Sequence, residues 1–361
     1  MKRHAIRSSV LFVLLVAAVS TARAQVPQDV VEVRNRKDGS TKTYKGLLKV
    51  TPTGFQVFTG EKFDKPGEAF APDDLVKVSI GDLPGVDRDA INSLKAKEEK
   101  KTTKDLAEAA AGYKALSKAG LADRSKRYLD YKTNALNQAV LDDLDPGKEW
   151  QDKADKLISE WKGFLADYKP AFGWEMWPAA RAVTRLLVER GKYSDAAAVW
   201  ANLRKAPELP PSARIEAGLQ EMDFQIRAKA YSNAIVLAAD PEMKKATGTR
   251  KEQLGIYEMT AKAGSDAKHL DGVDKVKAAM DKTKDPTVHA TGYAMMGELY
   301  LAAGKPRDAM WMFLWVETVV NQDKDEVFKA IARLTELFTA QMDEDQTKKY
   351  REKIKRYRSL F

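Results

Sequence analysis

Beyond residue 30 the hydrophobic rhythm of the chain changes once, from alternation by two to a spacing of three and four. That change divides it into a short β part and a long helical part. Val31 and Val33, then Tyr44, Leu47 and Val50, then Phe55-Gln56-Val57-Phe58, and last Leu75-Val76-Lys77-Val78-Ser79-Ile80 read as short strands. Lys37-Asp38-Gly39-Ser40 and Thr51-Pro52-Thr53-Gly54 separate them, and Asp-Gly is a hairpin signal because glycine accepts positive φ. Residues 61–72, with Pro66, Gly67 and Pro72, read as a loop. Four or five strands in about fifty residues fit a small barrel or curled sheet. A hairpin sheet packed on the helices is the alternative.

After Gly85 the texture becomes helical. Residues 90–118 are rich in Ala, Lys, Glu and Leu and hold no proline, which is helix-forming composition. Lys95, Lys97, Lys100, Lys101 and Lys104, mixed with Glu98 and Glu99, read as a solvated helix face or connector. A coiled-coil arm lacks the sustained apolar heptads it would need.

Farther on, breaks recur at Gly191-Lys192, Lys229-Ala230, 264–266, Gly304-Lys305 and Met342-Asp343, about thirty-eight residues apart. Pro or Gly clusters fall between the breaks, which predicts helical hairpins over 125–168, 174–206, 212–240, 249–282, 288–320 and 325–358. In the fifth of these, Tyr293, Met296-Gly297 and Tyr300, followed by Ala309 and Phe313, match the spacing W-x2-L-G-x2-Y…A-x3-F. Val183, Leu187, Ala196 and Trp200 give a second match, with Thr184 in the small-residue place. The region resembles the tetratricopeptide repeats, although 212–240 keeps only Tyr231 and Ala234 of the signature and the step exceeds the usual thirty-four. The β segment resembles an SH3-like or Sm-like barrel in strand order. A non-repetitive helical bundle is the alternative for the helices. The expected fold is therefore mainly α: an α-solenoid of hairpins preceded by a small β-barrel-like domain. The expected divisions are an export signal over 1–24, the β domain over 25–85, a helical connector over 86–120 and the solenoid over 121–361.

The first division rests on Lys2, Arg3 and Arg7, the apolar run over 10–19, and Ala22-Arg23-Ala24, the form of a secretory signal cleaved near Ala24. About ten apolar residues are too few to cross a hydrocarbon core of ~30 Å, so no anchor is expected after cleavage. Removing that stretch takes four basic residues and no acid from a formal charge of +9. The mild remainder argues against a nucleic-acid partner. The absence of cysteine excludes disulfide scaffolds, thiol nucleophiles and thiolate metal sites. The expected location is the periplasm or the exterior.

Candidate chemistry is sparse. His4, His269 and His289 have no metal-ligand spacing, and no nucleophile elbow, P-loop or dinucleotide fingerprint occurs. No catalytic residue, metal or cofactor is expected. The acidic pairs Asp142-Asp143 and Asp73-Asp74 and the group Asp323, Asp325 and Glu326 could be imagined as glycosidase acids, but the last reads more simply as a helix cap. The tetratricopeptide resemblance implies a concave surface for protein or peptide partners, on which Arg181 and Arg185 would grip carboxylates. Against this, Arg185 can pair with Glu189 along its own helix. Among the seven tryptophans, Trp200, Trp311 and Trp315 fall at helical spacing and are expected in the core. Trp174 and Trp177 are the ones expected to be exposed and able to stack on a sugar. The basic tail, Lys348 to Arg358, carries Tyr350, Ile354, Tyr357 and Phe361 on one face and reads as a terminal cap or an anion contact. These residues point to an exported, non-enzymatic adaptor of the cell envelope. Polysaccharide binding and structural self-assembly are the rivals.

Overall fold

The computed structural model describes residues 28–34, 40–51, 54–60, 62–168, 173–206 and 208–358. The export signal over 1–24, the Asp38-Gly39 turn, Pro52-Thr53, Pro207 and Phe361 lie outside the described residues.

Five antiparallel strands, β1 (Asp29–Arg34), β2 (Thr41–Thr51), β3 (Gly54–Thr59), β4 (Lys65–Phe70) and β5 (Leu75–Ser79), form one sheet in the order β4-β3-β2-β1-β5. Val31 faces Tyr44 on one side and Val78 on the other, and Leu48 faces Val57. Two expectations are corrected. Part of the segment read as a loop is the strand β4, whose Pro66 and Gly67 hid it. Proline cannot donate to a ladder, so such a strand sits at an edge. The sheet also does not close into a barrel, since β4 and β5 form its two edges. Its inner face, with Val31, Leu48, Phe55, Val57 and Phe70, joins the apolar core of the helices. Buried Asp29 accepts from the backbone N–H of Leu48 and Gly81 and pairs with Arg124, tying the sheet to the helical part.

The helices α1 (Arg88–Lys100) and α2 (Thr103–Leu116) break at Lys101, which takes the left-handed conformation, φ 55°. Lys97 pairs with Glu108 and Lys100 with Asp105 across this hairpin. Its other face packs on α3 (Asp123–Asp142) through Ile91, Leu94, Ala109, Tyr113 and Leu129. Residues 86–120 are thus a packed hairpin.

Then follow α4 (Lys148–Asp167), α5 (Met176–Glu189), α6 (Tyr193–Arg204), α7 (Pro211–Arg227), α8 (Tyr231–Ala238), α9 (Gly248–Ser265), α10 (His269–Met280), α11 (Pro286–Ala302), α12 (Pro306–Thr318), α13 (Lys324–Ala340) and α14 (Glu344–Arg358). The same turn recurs five times among them. A left-handed residue at Gly191, Lys229, Ala267, Gly304 and Met342 ends the first helix of each pair. The next N–H then reaches back to a carbonyl five residues earlier, as Lys192 does to Leu187 and Lys305 to Tyr300. Starts are marked as plainly. Asp285 and Asp323 cap α11 and α13, and Pro211, Pro286 and Pro306 occupy first-turn positions where no N–H is needed. In the best-matched pair, Met296, Gly297, Ala309 and Phe313 are buried while Tyr293 and Tyr300 are half-buried. A Cβ at Gly297 would stand 2.7 Å from the Phe313 ring. Ala196 and Trp200 are buried in the corresponding places of α6. Among the described residues no helix is long and apolar enough to cross a membrane.

Candidate functional site

Three places concentrate chemistry. The first is an ion-pair network buried between α7, α11 and α13. Arg227 meets Asp223 at 2.7 Å, Glu298 at 3.2 Å and Glu326 at 3.3 Å, and its side chain has no exposed surface. Lys329 pairs with Asp223 at 2.6 Å and with Glu326. Arg333 grips both oxygens of Glu298 at 2.8 and 2.9 Å and also donates to the Arg227 carbonyl and to Glu336 at 2.7 Å. Three cations thus balance three buried carboxylates, with the partly exposed Glu336 beside them, and such pairing is the condition under which ions survive burial. Burial pushes the Glu326 carboxyl up to about 7, helped by Asp223 and opposed by Lys329 and Arg227. Burial works against the Lys329 ammonium, yet Asp223 and Glu326 hold it above its ordinary range.

The second place is where α13 and α14 meet α5 and the turn between α3 and α4. Arg181 and Arg185, the residues expected to face a partner, both pair with Asp325 of their own chain, Arg185 at 3.1 Å. Burial opposes ionisation of Asp325, but the two guanidiniums outweigh it and hold the carboxyl below the usual range. Glu189, the alternative partner of Arg185, instead takes both nitrogens of Arg358, one at 2.8 Å. Lys355 meets Asp145 at 2.8 Å, and the Tyr193 hydroxyl donates to Glu336 at 2.7 Å. A cleft of about 550 Å³ opens at this contact, walled by Trp150, Val188, Ala332 and Ile354 and rimmed by Arg190 and Arg351.

The third place is the outer face of α12. Trp311 is 63% exposed, Trp315 42% and Val319 50%. Spaced by four, they form one stripe that runs along the helix and ends at Val319, just past its last turn. The Trp315 ring lies on Tyr293 with centroids 5.5 Å apart and planes 10° from parallel, which fixes its position. This reverses the expectation for Trp311 and Trp315, while Trp200 is buried as expected. Trp177, expected to be exposed, is buried against Trp200, and Trp174 is half-buried, edge-on to Tyr131 at 5.2 Å. The α12 spacing was legible, but Phe313 and Val316 take the buried face beside it. A stripe of period four has two sides, and only the neighbours decide which is covered.

The other candidates are placed simply. Asp323 caps α13, accepting from the N–H groups of Asp325 and Glu326. Asp142 is half-buried near Glu189 and Arg358, and burial pushes its carboxyl up to about 7. The His289 ring meets the Thr283 carbonyl at 3.0 Å. In α14, Tyr350 and Ile354 are buried and Tyr357 half-buried, while Lys348, Lys349 and Arg351 face solvent. Among the described residues no group of three or more acidic or histidine side chains is placed to hold a metal ion. No protein-family model, curated protein or solved structure matches the chain.

Proposed function

We propose that the chain is an exported, non-enzymatic scaffold of the cell envelope, a tetratricopeptide-like array that binds a protein partner through the outer face of α12. The observation that carries this reading is the stripe of Trp311, Trp315 and Val319. Large apolar side chains grouped on a surface mark interaction sites, and tryptophan is enriched among the residues that dominate binding energy. The stack on Tyr293 adds to this, because a ring already held in place loses little freedom on binding. The five recurring turns support the repeat architecture. The acidic ligand expected for Arg181 and Arg185 is supplied by Asp325 within the chain, so the recognition surface proposed is the outer helix face.

The double variant Trp311→Ala/Trp315→Ala tests the site. Trp311 is largely exposed and Trp315 gives up its stack on Tyr293, so stability should fall by no more than about 0.5–1.5 kcal/mol. Capture of envelope proteins by the purified chain should fall at least tenfold. Equal capture by parent and variant refutes the assignment to α12. A second reading, glycan binding, is favoured by the same exposed indoles. It replaces the first if cell-wall oligosaccharides shift the tryptophan emission of the parent chain and no protein is captured.

A further inference from the structure

We propose that the contact of α13–α14 with α5 and the α3–α4 turn is an electrostatic latch, which opens while the helical hairpins on either side stay folded. This inference is independent of the α12 surface. A set of polar and charged interactions bridges the contact, beside the buried apolar walls of the cleft, Trp150, Val188, Ala332 and Ile354. The polar set comprises Arg181 and Arg185 with Asp325, Arg358 with Glu189 and the Leu144 carbonyl, and Lys355 with Asp145. To these are added the Tyr193 hydroxyl on Glu336 and two cations over rings, Arg333 on Tyr193 at 4.0 Å and Arg358 on Trp150 at 4.7 Å.

Where apolar side chains do approach, they leave the cleft of about 550 Å³ between Trp150, Val188, Ala332 and Ile354. A cleft of that size admits water, so less apolar area is removed from solvent here than across a filled interface. Within a hairpin the opposite holds: Phe313 fills the space over Gly297 at contact distance. The chain therefore has an internal boundary held by charges between regions held by packing.

The charges are graded. Lys355–Asp145 and Arg181–Asp325 are partly exposed, and pairs of this kind are screened within ~10 Å at 0.1 M salt. The Arg358–Glu189 pair is buried, 3% and 6% exposed, and is the clasp that salt reaches least. Removing one of its partners leaves the other charge buried and uncompensated, which works against the closed contact. Opening uncovers Arg181, Arg185 and Asp325, so the latch controls access to that face.

The absence of cysteine makes the test clean, because two introduced cysteines are the only labelling sites. Gln151 and Thr339 line the cleft from α4 and α13 and are exposed. Spin labels on Gln151→Cys and Thr339→Cys report the distance across the latch. A control pair, Asn202→Cys in the last turn of α6, opposite its Tyr193 end, and Ser232→Cys in α8, spans none of the latch interactions. Raising sodium chloride from 0.05 to 1 M should add a second, longer distance for the first pair only. Arg358→Leu should add the same population at low salt, with the control distance and the far-ultraviolet dichroism unchanged. A single unchanged distance across the latch in 1 M salt and in a folded Arg358→Leu chain overturns the proposal. Should Arg358→Leu fail to fold, the salt series on the parent decides alone.

Discussion

Asp142 shows how a single carboxyl can record the surroundings that folding imposes on it. It ends α3 beside the contact with α14, where burial raises its proton affinity to a pKa of about 7, with Glu189 and Asp143 adding and Arg358 and Arg185 opposing. Its ordinary value is near 3.8. Between these two values the folded chain holds a proton that the unfolded chain has released, so this group's contribution to stability is present in acid and is lost as pH rises from about 4 to 7. Asp142→Asn removes the titration and keeps the shape. At pH 8 the variant should be more stable than the parent by about 1–2 kcal/mol, and at pH 4.5 the two should nearly coincide. Urea unfolding at both values measures this, and a difference that does not depend on pH would show that Asp142 is ionised in both states. Nothing in the residues Leu141-Asp142-Asp143 announces such a shift. It arises from burial, which the fold imposes, with Glu189, distant in sequence, adding to it.

Elements were legible where the backbone itself carried the signal. Glycine at the hairpin ends Gly191 and Gly304, aspartate before a helix and proline in its first turn act locally, and those helices begin and end beside them. The strand β4 was hidden because Pro66 and Gly67 are also loop residues, and only pairing with β3 makes that segment extended. Between those extremes lies the pair α11–α12, where sequence spacing put Gly297 and Phe313 in one packing signature and the structure sets them in contact. The Phe313 ring occupies the place of the missing side chain, 2.7 Å from where a Cβ would stand. Gly297→Leu gains about 1 kcal/mol of helix propensity but has to displace a ring with no exposed surface. The net expectation is a loss of roughly 1–3 kcal/mol, since overpacking forces side chains off their rotamers. Thermal unfolding checks it, and an unchanged midpoint would mean that α12 shifts freely along α11.

At the scale of the whole molecule, two cores of unequal size decide what unfolds first. The small one, built on Ile91, Leu94, Ala109, Tyr113, Tyr128 and Leu129, holds α1 and α2 against α3. The large one runs from the sheet to α14 and contains the ion-pair network, through which α7, α11 and α13 are bound to each other by Arg227, Glu298 and Arg333. Sequence showed each of these charges as one of many, since what singles them out is a set of partners 35 to 106 positions away. Their effect is cooperative: opening any one of the three helices strands a buried charge on another, so none is free to open alone. The hairpin α1–α2 has a lighter tie, Glu98 held by Lys132 of α3 and by the Tyr113 hydroxyl, and its own cross-links, Lys97–Glu108 and Lys100–Asp105, are exposed pairs that contribute little. Native-state hydrogen exchange should therefore show two levels of protection. Amides of α7, α11 and α13 should share one opening free energy, equal to that of global unfolding, while those of α1 and α2 exchange at a lower one. If α1 and α2 are as protected as α13, the small core is coupled to the large one through α3. The contact of Asp29 with Arg124 would then be the link to break next, because it fastens the sheet to that same helix.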